Sequence, residues 1–543
     1  MTTIPTRRIA IVTAVALAAF LALLTFSLRG SFWTSQDYGM LSISHAIHLE
    51  WRLSHGESFP APGLAGHPGI PFYLASWLAV FLVVPSFSGA GYERFSEIMA
   101  NIETIYLANQ AIAIALIAVS TYAFIRVTAR VASAGVILVA LGLWLGSSYQ
   151  AILTSTALSI ETFALPLNIL FLWILLRLAT HPRISVTDAV ACGLVAALGY
   201  LLKLPYLYIA MGLGAAFIAH VVVNRTGMVH SAKNAAIMIA SFLLCIGSIG
   251  YSVIGETALM ELFRFHGSVL FHTGYYGHGA PGVIDISHAM AALQSFLAYG
   301  SMAPWVALML GFACIVFAVR GWQSGKAGPL EVILGVGVGA AAIFAAIGVL
   351  KHFNEHYVAG VAPTLPGLVI ALTLLVGKVQ PDSFKRLRIL LALLLVFGIS
   401  YSIYFSVAQK QGEVAHRRDL LNDRLELEKL LQVGNDRTLF TYHVSMQEFG
   451  EGFILHYSGI PALVLEYRTR NKARVSSYMQ PTGSFKYVVV DKAYFPNITA
   501  VRNASNLDPI GTVKVSPSNA DRVIELRRSL VVIKSPPTVV SAR

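Results

Sequence analysis

Long apolar runs alternate with short polar breaks over the first four hundred residues of this chain, and the rhythm stops near Val407. Runs at roughly 9–28, 70–87, 102–126, 131–149, 162–180, 187–203, 205–224, 235–255, 295–319, 330–350, 357–377 and 387–407 are candidate spans. A helix rises about 1.5 Å per residue, so about 20 apolar residues cross a hydrocarbon core of about 30 Å. The pattern predicts an α-helical polytopic membrane protein with about 11–13 transmembrane helices. Beyond Val407 the period changes. Glu413–Val433 reads as an amphipathic helix, with Leu420, Leu421, Leu425, Leu427, Leu430 and Leu431 at helical spacing. Thr438–Tyr442, Ala462–Leu465 and Tyr487–Val490 read as short buried strands. The expected organisation is a membrane module over 1–408, with polar outer loops at 31–69 and 256–294, followed by a small soluble α/β domain over 409–543.

Composition agrees with this division. Hydrophobic residues make up 56% of the 543 residues and charged ones 12%, with a mean hydropathy of +0.67. A soluble domain carries roughly 25% charge, and only residues 410–543, at about 24%, reach that level. The net charge of +12 is no sign of nucleic acid, because Lys and Arg sit in short loops and in the C-terminal region, where the positive-inside rule puts them. Arg126/Arg130, Arg183, Arg225/Lys233, Arg320/Lys326 and Lys378/Lys385/Arg386/Arg388 mark the expected cytoplasmic turns. Counting back from the last cluster puts the C-terminal domain and 256–294 outside. Counting forward from Arg7-Arg8 puts 31–69 outside. The two counts conflict between residues 70 and 130, so either the 70–87 run is re-entrant or the rule fails there. The first run lacks a small-residue cleavage site and reads as a retained helix, not a signal peptide. Cys192, Cys245 and Cys314 lie inside apolar runs and read as small buried hydrophobes, neither a disulfide framework nor a thiolate metal site.

The polar stretch Ser31–Trp77 is the longest interruption in the apolar half. Asp37, just after the first helix, is either a plain interfacial carboxylate or a general base within reach of an acceptor hydroxyl or amine. Residues 44–57 read as an interfacial amphipathic helix. Its His45, His48 and Glu50 form a solvated face or, less simply, a metal set. His67-Pro68-Gly69-Ile70-Pro71 opens the next helix, and proline suits a first helical turn. That explains the prolines but leaves His67 at the membrane surface, where a phosphate would lie. Glu161 is a span-edge acid or a substrate-orienting group. Lys203, between two apolar runs, is a snorkelling lysine or a phosphate ligand. Lys351, His352, Glu355, His356 and Tyr357 precede a helix as turn residues or as an anion site. Segment 256–294 adds Arg264 and several histidines around Gly-Tyr-Tyr-Gly-His-Gly, a flexible connection or a mobile lid. No Walker motif, no dinucleotide glycine signature with its acid, and no G-x-S-x-G elbow is present.

In this order the motifs resemble the GT-C superfamily of polyprenyl-phosphate-sugar glycosyltransferases, notably the protein O-mannosyltransferases and the lipid A aminoarabinose transferases. Asp37 matches the acid after the first helix, His67-Pro68-Gly69-Ile70-Pro71 the His-Pro-Pro element, GLVAALGYLLKLPY the glycine-rich span ending in Lys203, and Lys351…His356-Tyr357…Pro363…Pro366 the late Lys…Tyr-x-x-Pro…Pro segment. Gln36-Asp37 stands where those families often have an acidic pair, and Gly69 replaces the second proline. The resemblance covers about residues 1–400. It implies an inverting transferase of the bacterial inner membrane that works on the periplasmic face. Asp37 would be the base, Glu161 the orienting acid, and His67, Lys203, Lys351, His356, Tyr357 and Arg264 the donor ligands. It implies no metal and no cofactor beyond the lipid-phosphate sugar as co-substrate. The partners it implies are that donor, membrane lipids, and a glycan, lipid or protein acceptor, with no nucleic acid. The alternatives are a flippase or transporter of lipid-linked saccharide, which predicts charges within spans and a helix repeat, and an O-antigen-type polymerase or ligase.

Overall fold

A computed structural model describes residues 4–27, 39–57, 69–85, 91–148, 151–152, 158–273, 279–298, 301–351, 357–431, 437–441, 447–470, 474–509, 511, 513–517 and 520–542. Its α-helices of six or more residues are α1 (Ile4–Ser27), α2 (Leu41–His55), α3 (Ile70–Val83), α4 (Tyr92–Ala100), α5 (Ile102–Thr128), α6 (Ala134–Gly146), α7 (Ala164–Thr180), α8 (Val186–Leu202), α9 (Tyr208–Val223), α10 (Met228–Cys245), α11 (Tyr251–Phe271), α12 (Ile286–Ala298), α13 (Ala303–Gln323), α14 (Pro329–Lys351), α15 (Leu365–Val379), α16 (Pro381–Leu431), α17 (Gln447–Ser458), α18 (Pro461–Arg470) and α19 (Ile498–Asn503). Among the described residues, nine helical stretches are long and apolar enough to cross a membrane, and α3, α6, α8 and α12 are shorter apolar helices. This is the polytopic helical architecture the apolar runs predict. The 14 residues of α3 extend only about 21 Å at 1.5 Å per residue.

The chain divides into two compact units, one of residues 1–25, 65–72 and 110–408, the other of 26–64, 73–109 and 409–543. In the first, α14 is central. A Cβ on Gly337 would come within 2.8 Å of Leu175, and one on Gly212 within 2.7 Å of Ala341 and of Phe171. Small residues permit such approach, and lipid, being as apolar as the side chains, offers no other strong drive for helix association.

Three expectations are corrected here. Segment 256–294 is largely helical and not a loop: α10 continues through a π-helical turn at 246–250 into α11, and α12 begins at Ile286. Ile254, Ala258, Leu262, His266 and Val269 are buried at helical spacing, while Glu256 and Arg264 lie on the exposed side. The polar face masked the period. Gly255, at φ 85° and ψ 170°, kinks the helix in a region essentially reserved for glycine. Secondly, the predicted 295–319 span is divided. α12 ends at Ala298 and α13 starts at Ala303 with Pro304 in its first turn. Thirdly, Ala462–Leu465 is not a strand. Pro461 opens α18, whose Leu463 and Tyr467 are buried four residues apart while Leu465 is 66% exposed.

The second unit contains a sheet of β1 (Thr438–Phe440), β2 (Arg474–Ser476), β3 (Gly483–Asp491), β4 (Val513–Lys514), β5 (Ala520–Glu525) and β6 (Ser529–Ala542). The order is β2-β1-β3-β6-β4, with β5 also paired to β6. β1 runs parallel to β2 and β3, and β6 antiparallel to β3. Leu439, Phe485, Val488, Val490 and Val532 form its core. The amphipathic helix predicted at 413–433 is the end of the unbroken α16. Leu420 and Leu427, two turns apart, are buried; Leu421 and Leu425 are exposed. The buried Asp423 carboxylate accepts from the N–H groups of Arg527 and Arg528 and from Ser529 Oγ, fixing the helix on the start of β6.

Helix α2 also departs from its expected surface role. Ser42 to Trp51 are all buried. His48 Nδ1 lies 2.8 Å from the Ser458 carbonyl at the end of α17, and Glu50 pairs with Arg94 of α4 at 2.8 Å. A sequence face that reads as solvated is polar because it meets polar partners within the unit. Burial holds both His45 and His48 below the usual histidine range, His45 the more strongly.

Candidate active site

Lys203 follows the last residue of α8. Its backbone is extended (φ −172°, ψ 148°), and a 3₁₀ turn at Leu204–Leu207 leads straight into α9. Pro205 restricts Leu204 and ends the α-helical run. The Lys203 N–H donates to the Gly199 carbonyl at 3.2 Å, and the Lys203 carbonyl accepts from Tyr206 N–H at 2.9 Å. Gly199 permits this return, since a Cβ there would come within 2.9 Å of the Tyr206 carbonyl oxygen. Next to Lys203, the Leu202 carbonyl accepts from Gly69 N–H at 3.0 Å.

The Lys203 ammonium donates to Glu161 at 2.6 Å, with both side chains about 5% exposed. It also sits 3.9 Å from the Tyr357 ring centroid, a cation–π contact. Glu161 is held by a reciprocal cap. Thr162 N–H donates to Ser159 Oγ at 3.3 Å, and Ser159 N–H donates to Thr162 Oγ1 at 3.0 Å. This fixes the 3₁₀ turn Ile160–Phe163 in front of α7, with the carboxylate at the helix start, where the backbone dipole favours an anion. A buried ion pair of this kind is held in place by its geometry; its net contribution to stability is small, but removing one partner is severe.

Lys351, the last residue of α14, donates to the Leu270 carbonyl at 2.9 Å, near the end of α11. Lys203, Lys351 and Tyr357 line one cavity of about 260 Å³. Its other walls are Leu207, Tyr208 and Met211 near the start of α9, Phe265, Val269 and Leu270 on α11, and Phe344, Ile347 and Gly348 on α14. The lining is apolar apart from the two ammonium groups and the tyrosine hydroxyls. An ammonium has three N–H donors. Each lysine therefore has donors beyond the bonds described. Two cations at one cavity, walled by apolar side chains in membrane-length helices, suit an amphiphile with an anionic head.

The structure thus brings together Glu161, Lys203, Lys351 and Tyr357. Arg264 is not among the cavity residues: it is exposed on α11, while Phe265 and Val269 of the same helix face in. Asp37, His67 and His356 lie outside the described residues. Sequence reasoning missed the apolar wall altogether. Its signal was present in the spacing of Phe344, Ile347, Gly348 and Lys351, at i, i+3, i+4 and i+7, one face of one helix. Among the described residues no cluster of three or more His, Cys, Asp or Glu is arranged to hold a metal.

No protein-family profile matches this sequence, and no curated protein does. Solved structures offer a similarity. The chain is similar to ArnT from Cupriavidus metallidurans in the apo state, at 12% identity and a TM-score of 0.46 over 96% of this chain and 98% of that one. It is likewise similar to the same protein bound to undecaprenyl phosphate, at 13% identity and a TM-score of 0.44 over 96% and 97%.

Proposed function

We propose that the protein is an inverting glycosyltransferase of the GT-C type, which moves a sugar from a polyprenyl-phosphate donor to an acceptor on the periplasmic side of the bacterial inner membrane. The observation that carries this reading is the apolar cavity shared by Lys203 and Lys351. The donor's phosphate would sit at the two ammonium groups and its tail along the apolar wall. In the reaction, an acceptor oxygen or nitrogen attacks the anomeric carbon from the face opposite the phosphate. The new bond forms as the sugar–phosphate C–O bond breaks, and polyprenyl phosphate leaves with the electron pair. Asp37 takes the acceptor's proton. The leaving phosphate gains a negative charge as the bond breaks, and prepositioned cations stabilise that charge more than the ground state.

Glu161, by its bond to Lys203, positions that ammonium, and Tyr357 limits its other side. This changes the acid's role from the sugar-orienting one that the resemblance implies. His67 and His356 are assigned to the donor's phosphate by sequence position. The reaction as written needs neither a nucleotide nor a metal.

Purified protein given a radiolabelled polyprenyl-phosphate sugar and a crude envelope acceptor should release polyprenyl phosphate in step with product. Asp37→Asn should lose transfer while still binding the donor, and Lys351→Met should weaken donor binding by about 10-fold or more, the loss of one charge-assisted contact. Movement of intact donor across vesicles without cleavage would mean a flippase instead.

A further inference from the structure

The glycines of the helical unit fall into two kinds. At Gly337 and Gly212 a Cβ would come within 2.8 Å of a neighbour, so packing itself excludes a side chain. At Gly348 a Cβ would meet nothing within 4 Å. Among the described residues no neighbour requires the missing side chain there, and glycine within a helix is destabilising relative to alanine. Other helical glycines also face open space, but Gly348 lies in the cavity wall, one turn before Lys351. The room it leaves lies in the wall of the cavity that Lys203 and Lys351 also line.

That cavity opens sideways. Met211 on α9 and Phe344 on α14 both line it, and they are 41% and 42% exposed on membrane-length helices. From Phe344 to Lys351 the helix rises about 10 Å. The groove is therefore long enough for only the head-proximal part of a lipid tail, and the remainder would leave between these two side chains into the bilayer.

We propose that Gly348 sets the width of this groove, and thereby selects a methyl-branched isoprenoid chain over a straight alkyl chain next to the phosphate. The inference rests on the lipid-phosphate reading of the same cavity. A branched chain is wider than a straight one at each methyl, and the space left by the absent Cβ takes that width. A straight chain leaves it unfilled and loses contacts along one wall.

The test uses the full-length protein in nanodiscs, with farnesyl phosphate, dodecyl phosphate and inorganic phosphate as probes in calorimetric titrations. Wild type should bind farnesyl phosphate at least about 10-fold more tightly than dodecyl phosphate, the discrimination one or a few methyl groups give in an apolar pocket. Gly348→Leu should weaken farnesyl phosphate by about 10- to 200-fold, with a smaller effect on dodecyl phosphate. Gly348→Ala should narrow the gap between the lipids, and it carries the comparison if the leucine variant does not fold. Equal affinity for both lipids in wild type and variants alike overturns the width assignment and leaves the lipid-phosphate site standing. If neither lipid binds better than inorganic phosphate, the site reading itself fails and this inference falls with it.

Discussion

Lys203 and Glu161 are a buried pair whose two members were each legible as unusual but not as partners. Forty-two residues separate them in the chain, and only the packing of the turn before α7 against the end of α8 joins them. Lys203→Met removes the ammonium that donates to the buried Glu161 carboxylate, and breaking a buried pair from one side costs about 3–5 kcal/mol. The double variant Glu161→Gln/Lys203→Met should regain most of that loss in detergent-based unfolding, yet stay inactive in sugar transfer. A double variant as unstable as the single one would show that the pair is not the source of the loss. Lys351 differs, because it is half-buried and its described partner is a neutral carbonyl. Its replacement should cost on the order of 1 kcal/mol in stability, with the main effect on donor binding.

At the scale of elements, the sequence spoke clearly where one periodicity filled a whole segment. The apolar runs identified the membrane-length helices because each is hydrophobic around most of its circumference. Mixed segments hid their helices. In α11 the buried positions from Ile254 to Val269 alternate with Glu256, Glu261 and Arg264, so the run falls below membrane hydropathy although the chain stays helical. In α18 two apolar residues flank Val464 closely enough to imitate a strand. The turn that carries Glu161 is a local device, and its contribution is testable. Ser159→Ala removes the oxygen that accepts from Thr162 N–H, which should cost about 1 kcal/mol. Hydrogen exchange should rise at residues 159–165 and not elsewhere. An unchanged exchange pattern there would mean that tertiary packing alone holds the turn.

At the scale of the molecule, burial of α2 predicts a pH response in the second unit. Burial, then the neighbouring His48, lowers His45; burial, then the Arg52 charge, lowers His48, against a raising contribution from the Ser458 carbonyl. Glu50, the nearest acid on α2, is engaged by Arg94. Both imidazoles are therefore neutral when folded and would take up protons on unfolding near their usual value of 6.5. The stability they contribute is complete above that pH and is lost progressively as pH falls below it. Hydrogen exchange in α2 and α17 should accelerate at pH 5 relative to pH 7.5, and equal protection at both would show that the histidines do not report on this unit's stability. The sequence by itself determined the class of molecule, a bundle of apolar helices followed by a charged α/β region, because hydropathy and periodicity are local quantities that each segment carries alone. It also marked Lys203, Lys351 and Glu161 as exceptions, because a charge at the edge of an apolar run is conspicuous without any partner. Tertiary structure alone decided that Lys203 and Lys351 share one cavity, that Glu161 holds one of them, and that Arg264 stands apart. It alone showed that a side chain at Gly348 would meet no described neighbour, unlike one at Gly337 or Gly212. Those are distances between residues far apart in the chain, set by which helices lie side by side, and no local pattern contains them.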